Sequence, residues 1–134
     1  MPVLVDSNVL IDVYGGASAW QDWSNLALQR LGNSDILVIN QLIYAETSVA
    51  FDSIAEVEEV LPLELYRRDQ LPYGAAYLAG KAFVDYRRRG GVRSSPLPDF
   101  YIGAHAAVAR FDLLTRDAAR YRTYFPTVRL IAPD

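Results

Sequence analysis

Val3-Leu4-Val5-Asp6-Ser7-Asn8-Val9-Leu10-Ile11-Asp12 puts a carboxylate at the end of a short apolar run and follows it at once with a helix-forming segment. Residues 2–5 read as a strand buried on both faces, because the run lacks polar alternation. Residues 7–13 read as a helix with Ser7 as its cap, broken at Gly15-Gly16. The same order continues outward. A helix is predicted over about 18–31, ended by Gly32-Asn33, then a second buried strand over 36–39, then a helix capped by Asn40. A helix over about 52–60 stops at Pro62, and 61–65 reads as a short strand. In 73–89 the apolar residues Tyr73, Ala76, Tyr77, Gly80, Phe83 and Val84 recur at helical spacing before Gly90-Gly91 ends the segment. Residues 97–110 read as helix, 112–115 as strand, 117–124 as helix and 128–131 as a last strand. Strands separated by helices imply an α/β fold: a mostly parallel central sheet covered on both faces, a three-layer α/β/α sandwich forming one domain over 1–134. The loop 90–98, with two Gly and two Pro, is the segment expected to move.

Asp6, Glu46, Asp99 and Asp117 stand in apolar or element-terminal positions, where an acid needs a reason. Burying one unpaired carboxylate costs several kcal/mol, so such a group shifts its pKa, finds a partner or binds a metal. In an open parallel sheet, ligands bind at the carboxyl ends of the strands. Asp6 ends the first strand, Asp117 follows the strand that ends at Thr115, and Asp99 lies in the first turn of its helix. Glu46 shares a helix face with Leu42, Ile43, Val49 and Ala50, so it points inward. Each acid also has an ordinary reading. Asp6 would cap the next helix, and Asp99 and Asp117 would be first-turn acids favoured by the dipole. Glu46 fits a surface role least well.

Composition narrows the chemistry. Hydrophobic residues make up 51% and charged residues 22% of 134, a folded-domain profile. There is no cysteine and a single histidine, His105, so thiolate and His-rich metal sites are excluded, and His105 reads as structural. The opening residues lack a basic region and a long apolar run, so neither a leader nor a membrane anchor is expected, and cytoplasm is the expected location. A net charge of −3 argues against general polyanion binding, yet Arg87, Arg88, Arg89 and Arg93 cluster, and Arg116, Arg120 and Arg122 form a second group. Arg87, Arg88, Arg89, Arg93 and Arg116 are candidate RNA contacts; the ordinary reading of the first run is a solvated helix end.

The stretch 3–12 resembles the opening of a PIN-domain ribonuclease. Tyr44-Ala45-Glu46 resembles the second acidic motif of that family, Pro98-Asp99 through Ala106 the third, and Leu113-Leu114-Thr115-Arg116-Asp117 the fourth. The ordered set covers nearly the whole chain and is similar to VapC-type toxins of bacterial toxin–antitoxin pairs. The resemblance implies an acidic centre of Asp6, Glu46, Asp99 and Asp117, supported by Ser7, Asn8 and Thr115, that holds Mg²⁺ or Mn²⁺ for endoribonuclease activity. It also implies a homodimer and a cognate VapB-like antitoxin. Clustered carboxylates suit a hard cation through oxygen. Trp20 and Trp23 are candidate antitoxin contacts, in a groove with the helix after Asn40; the ordinary reading is core.

Other readings remain. A haloacid-dehalogenase-like phosphatase would need a second Asp where Asn8 stands, and a receiver domain a lysine on a late strand, whereas Lys81 lies in a helix. A flap-type DNA nuclease would need more chain to thread its substrate. A non-catalytic PIN-fold binding module would have no need of intact acids.

Overall fold

The computed structural model describes residues 1–93 and 97–133. Its elements are β1 (Pro2–Val5), α1 (Ser7–Tyr14), α2 (Gln21–Ser34), β2 (Ile36–Ile39), α3 (Gln41–Ser48), α4 (Ile54–Val60), β3 (Arg67–Arg68), α5 (Tyr73–Arg88), α6 (Pro98–Ala109), β4 (Asp112–Leu114), α7 (Ala119–Tyr124) and β5 (Leu130–Ile131). The strands form one parallel sheet in the order β3-β2-β1-β4-β5. With helices on both faces this is the expected α/β/α sandwich. The order reverses between β1 and β4, so a crevice is expected at their carboxyl ends. Val3–Val5, Leu37–Ile39, Leu113 and Leu114 are buried, as befits central strands covered on both sides.

Helix α6 is the hub. It packs along α5 and against α7, with Phe100, Ile102, Gly103, Ala104, His105 and Ala106 all buried. Gly103 is required there, because a Cβ would stand 2.3 Å from the ring of Phe125, which lies directly on the helix backbone. His105 is structural, as expected: its Nδ1 pairs with Asn40 Nδ2 at 2.9 Å, and burial pushes its pKa down. Asn40 also caps α3, its Oδ1 accepting from the Ile43 amide at 3.0 Å.

Four local expectations need correction. Ser7 is the first residue of α1 rather than its cap, and the Asp6 carboxylate makes no capping bond either. Helix α2 starts at Gln21 and continues through Gly32-Asn33 to Ser34. The segment 61–65 is a turn, with Leu65 and Tyr66 amides bonded to the Pro62 carbonyl; the strand comes later, at Arg67–Arg68. An edge strand pairs through its backbone, so its arginines carry no hydrophobic signal. In α5 the buried residues are Ala75, Ala79 and Ala82, while Tyr73 is 95% exposed and Tyr77 68%. Small side chains let α5 approach α6 closely; Leu78, Phe83 and Tyr86 pack partly buried against the core, and Tyr73, Tyr77 and Val84 are left outside. In the 90–98 loop, residues 94–96 lie outside the described part of the chain, and so does the expectation of movement there. Among the described residues no helix is long and apolar enough to cross a membrane.

Candidate active site

The carboxyl ends of β1 and β4 carry Asp6 and Thr115, and α1, α3, α6 and α7 bring the other polar groups to them. Asp6 is the centre. It is 3% exposed, and among the described residues it has no cationic partner. Its Oδ2 accepts from the Tyr121 hydroxyl at 2.8 Å, the Thr115 hydroxyl at 2.9 Å and Asn8 Nδ2 at 3.4 Å, and its Oδ1 accepts from Ser7 Oγ at 3.4 Å. Ser7 Oγ also donates to Glu46 Oε1 at 2.8 Å. Tyr121 reaches Asp99 Oδ1 at 3.5 Å, and Arg120 Nη1 stands 3.5 Å from Asp99 Oδ2. Hydroxyls thus stand between acids that would otherwise repel.

The four acids differ in setting. Glu46 is half-buried near the end of α3, and Val49 and Ala50, expected to share its apolar face, lie beyond the helix and are exposed. Asp99 is half-buried in the first turn of α6. Asp117 is exposed and precedes α7, which begins at Ala119. Thr115 Oγ1 accepts from the Asp117 amide at 3.1 Å, which ties that loop to the centre. Among the described residues no three acidic or histidine side chains converge closely enough to enclose a metal ion as they stand. The donor set is nonetheless all carboxylate and hydroxyl oxygen, the chemistry of a hard-cation site. A buried Asp6 without a countercharge is what such an ion would neutralise.

Charge crowding shows in the protonation behaviour. Burial, with the charges of Asp99 and Glu46, pushes Asp6 up to about 6 from 3.8, against the lowering effect of its Tyr121 and Thr115 bonds. Burial also raises Glu46 and Asp99, aided by Asp99 in the first case and Asp117 in the second, while Arg120 offsets part of the rise in Asp99. The folded chain therefore binds the Asp6 proton more tightly than the unfolded chain. That stability is complete below about pH 3.8 and is lost as the pH rises through about 6. The loss from this group is about 3 kcal/mol. In urea denaturation with EDTA, Asp6→Asn should gain on the wild type by ~2 kcal/mol between about pH 4.5 and 7.5. Parallel pH profiles for the two proteins would reject a buried, uncompensated Asp6.

The candidate cations separate in space. Arg116 is held inward: its Nε meets Asp12 Oδ2 at 2.7 Å, and its amide donates to Asn8 Oδ1 at 3.3 Å. Asp12, 1% exposed, also accepts from Ser18 and Ser24, each at 2.8 Å. Arg87, Arg88, Arg89 and Arg93 are exposed at the end of α5 and in the turn after it. Arg89 pairs with Asp85 at 3.1 Å, and Arg87 Nη1 donates to the Arg93 carbonyl. Trp20 precedes α2 and is 40% exposed; it meets the half-buried Trp23 edge to face.

The sequence matches a known family model, that of the PIN domain, over residues 3–126. The chain belongs to the PIN-domain family. No curated protein matches this PIN domain in sequence. Among solved structures, VapBC2 from Rickettsia felis, bound to a promoter DNA fragment, is similar with a TM-score of 0.74 at 15% identity, covering 100% of both chains. VapBC-1 from nontypeable Haemophilus influenzae gives 0.73 at 16% identity, covering 98% of each. VapC20 of Mycobacterium tuberculosis, a toxin that cleaves the sarcin–ricin loop, gives 0.61 at 16% identity, covering 95% of this chain and 98% of that one. At these identities the likeness concerns the fold.

Two residues of this PIN site escaped the sequence reading. Tyr121 reads as one more aromatic of a short helix, and Asp12 as one more acid on an amphipathic one. Only the fold shows that the first bonds to Asp6 and that the second holds Arg116.

Proposed function

We propose that this PIN domain is a metal-dependent endoribonuclease and the toxin of a two-protein toxin–antitoxin pair. The observation that carries the nuclease reading is the buried Asp6 at the β1–β4 switch point, with no countercharge among the described residues, which feels the charges of Asp99 and Glu46 while Asp99 feels that of Asp117. These four carboxylates would hold Mg²⁺ or Mn²⁺. When bound, the ion supplies an activated water and stabilises charge on the phosphorus. Ser7, Thr115 and Tyr121 orient the carboxylates, and Asn8 joins Asp6 to Thr115. In-line attack of water on an RNA phosphodiester leaves a 5′-phosphate and a 3′-hydroxyl, with no need for a nucleophilic side chain. Intact acids, and Asn8 where a phosphatase needs an Asp, disfavour the binding-module and phosphatase readings.

Solved relatives that are toxin–antitoxin complexes support the toxin role and a VapB-like partner. Trp20, Trp23 and the exposed Leu26 suit an amphipathic antitoxin helix, with an antitoxin arginine reaching the acids in place of metal. A homodimer belongs to the same proposal. The test is cleavage of structured and unstructured RNAs in excess EDTA and after Mg²⁺ or Mn²⁺ is restored. Activity should vanish and return, and the metal should raise the melting temperature through linkage. Undiminished cleavage in EDTA sinks the metal mechanism.

A further inference from the structure

Of the four acids, Asp99 alone has an ion-pair partner among the described residues. Arg120 Nη1 stands 3.5 Å from Asp99 Oδ2, and the Tyr121 hydroxyl reaches the other oxygen, Oδ1, at 3.5 Å. Both oxygens of this carboxylate are therefore engaged in the metal-free chain. The arginine is held from behind. Its guanidinium lies over the rings of Tyr86 and Phe100 at 5.8 and 5.7 Å, and those two rings meet edge to face at 5.5 Å. Phe100 is buried and follows Asp99 in the first turn of α6, so one turn supplies both the acid and part of the arginine's platform. The contact to Asp99 is long and single, and the two side chains are 37% and 38% exposed. A pair of this kind adds little to stability. Its charge is still felt: burial raises the Asp99 pKa, and Arg120 is the stronger of the two groups that lower it.

From this geometry we propose that Arg120 is an internal lock on the acidic centre, a cation of the chain itself that occupies Asp99 and competes with a divalent ion for it. The lock rests on the metal-dependent reading above and adds to it how loading of the site is regulated. Among the described residues the acids do not enclose an ion as they stand, and Asp99 is the one engaged by a cation. Arg120 has to give up Asp99 before Oδ2 can serve as a ligand. Tyr86 and Phe100 keep the guanidinium at the site instead of in bulk water, so the competitor is always local. A fixed unit charge a few ångströms from a site also repels an incoming cation. Because the pair itself is long and partly exposed, the lock is weak enough to open at sufficient metal concentration.

The test is Mn²⁺ binding to the metal-free chain without RNA, followed by the electron paramagnetic resonance signal of free Mn²⁺. Arg120→Gln, at a partly exposed position, should tighten binding about ten-fold. Tyr86→Leu keeps every charge and an apolar side chain but removes one ring from under the guanidinium, and it should tighten binding about three-fold. Arg88→Gln removes the same charge at the exposed end of α5 and should leave the affinity within about two-fold. Wild-type Mn²⁺ affinity in Arg120→Gln overturns the lock. So does an equal gain in Arg88→Gln, or no gain in a folded Tyr86→Leu, because either reduces Arg120 to one charge among several. Cleavage of RNA by the wild type with Mg²⁺ is read separately. A wild type that cleaves while Arg120→Gln binds Mn²⁺ no more tightly keeps the nuclease and loses the lock. A gain in Arg120→Gln in a chain that never cleaves keeps the lock and loses the nuclease. Absence of Mn²⁺ binding in both proteins removes the lock and the metal mechanism together.

Discussion

Asp6→Asn should be folded, more stable than the wild type without metal, and inactive. Asn preserves the shape of the side chain and an oxygen acceptor for Tyr121 and Thr115, which reach Asp6 at 2.8 and 2.9 Å. It removes the charge that burial and neighbouring acids disfavour, so the metal-free protein gains at neutral pH. The same charge is what a hard cation would need. Single-turnover RNA cleavage should fall by about 10³-fold or more, ~4 kcal/mol of transition-state stabilisation. Opposite signs in stability and activity separate this outcome from simple unfolding, which lowers both. Asp99→Asn should behave similarly, with a smaller stability gain because Arg120 already offsets its charge. A variant that cleaves at the wild-type rate would remove Asp6 from the chemistry.

The second large effect concerns structure. Arg116→Met should destabilise the protein by about 3 kcal/mol, lowering the melting temperature by roughly 10 °C. Asp12 is buried, and without Arg116 it retains, among the described residues, the Ser18 and Ser24 hydroxyls. Removing one member of such a pair strands a charge. The Arg116 side chain is itself about one-third exposed (32%), which keeps the figure at the lower end of the usual range. Adding Asp12→Asn to Arg116→Met should recover part of the loss, because the stranded charge is then gone. A double-mutant cycle reads that coupling directly. Additive losses in the two single variants would mean that the pair contributes nothing beyond its separate packing.

The acids were legible in the sequence because a carboxylate after an apolar strand, or within an apolar helix, violates the local pattern. Asp6 and Glu46 break it most clearly. The layered fold was legible because the buried strands 2–5 and 36–39 show no alternation and helices separate them. Three features were not. Arg67–Arg68 pairs only through its backbone at a sheet edge, so no side-chain pattern marks it. The buried face of α5 is built from alanines, whose weak hydrophobic signal was masked by the exposed Tyr73 and Tyr77. Tyr121 and Arg116 act through partners about a hundred residues away, a distance over which periodicity says nothing.

That distance has a consequence for the chain during its synthesis. Asp6 is among the first residues made, yet Thr115 and Tyr121, which hold its carboxylate, are separated from it by 109 and 115 positions. Strand β4, which pairs with β1 to close the crevice, arrives after α6. A nascent chain that has emerged only as far as α5 therefore carries Asp6, Ser7 and Glu46 but neither Asp99 nor the Thr115 and Tyr121 hydroxyls that hold Asp6. Long-range pairing of this kind forms late. The message being translated lies beside a half-built protein whose acidic centre is still in pieces, and the centre is completed only once the segment through Tyr121 is free of the ribosome.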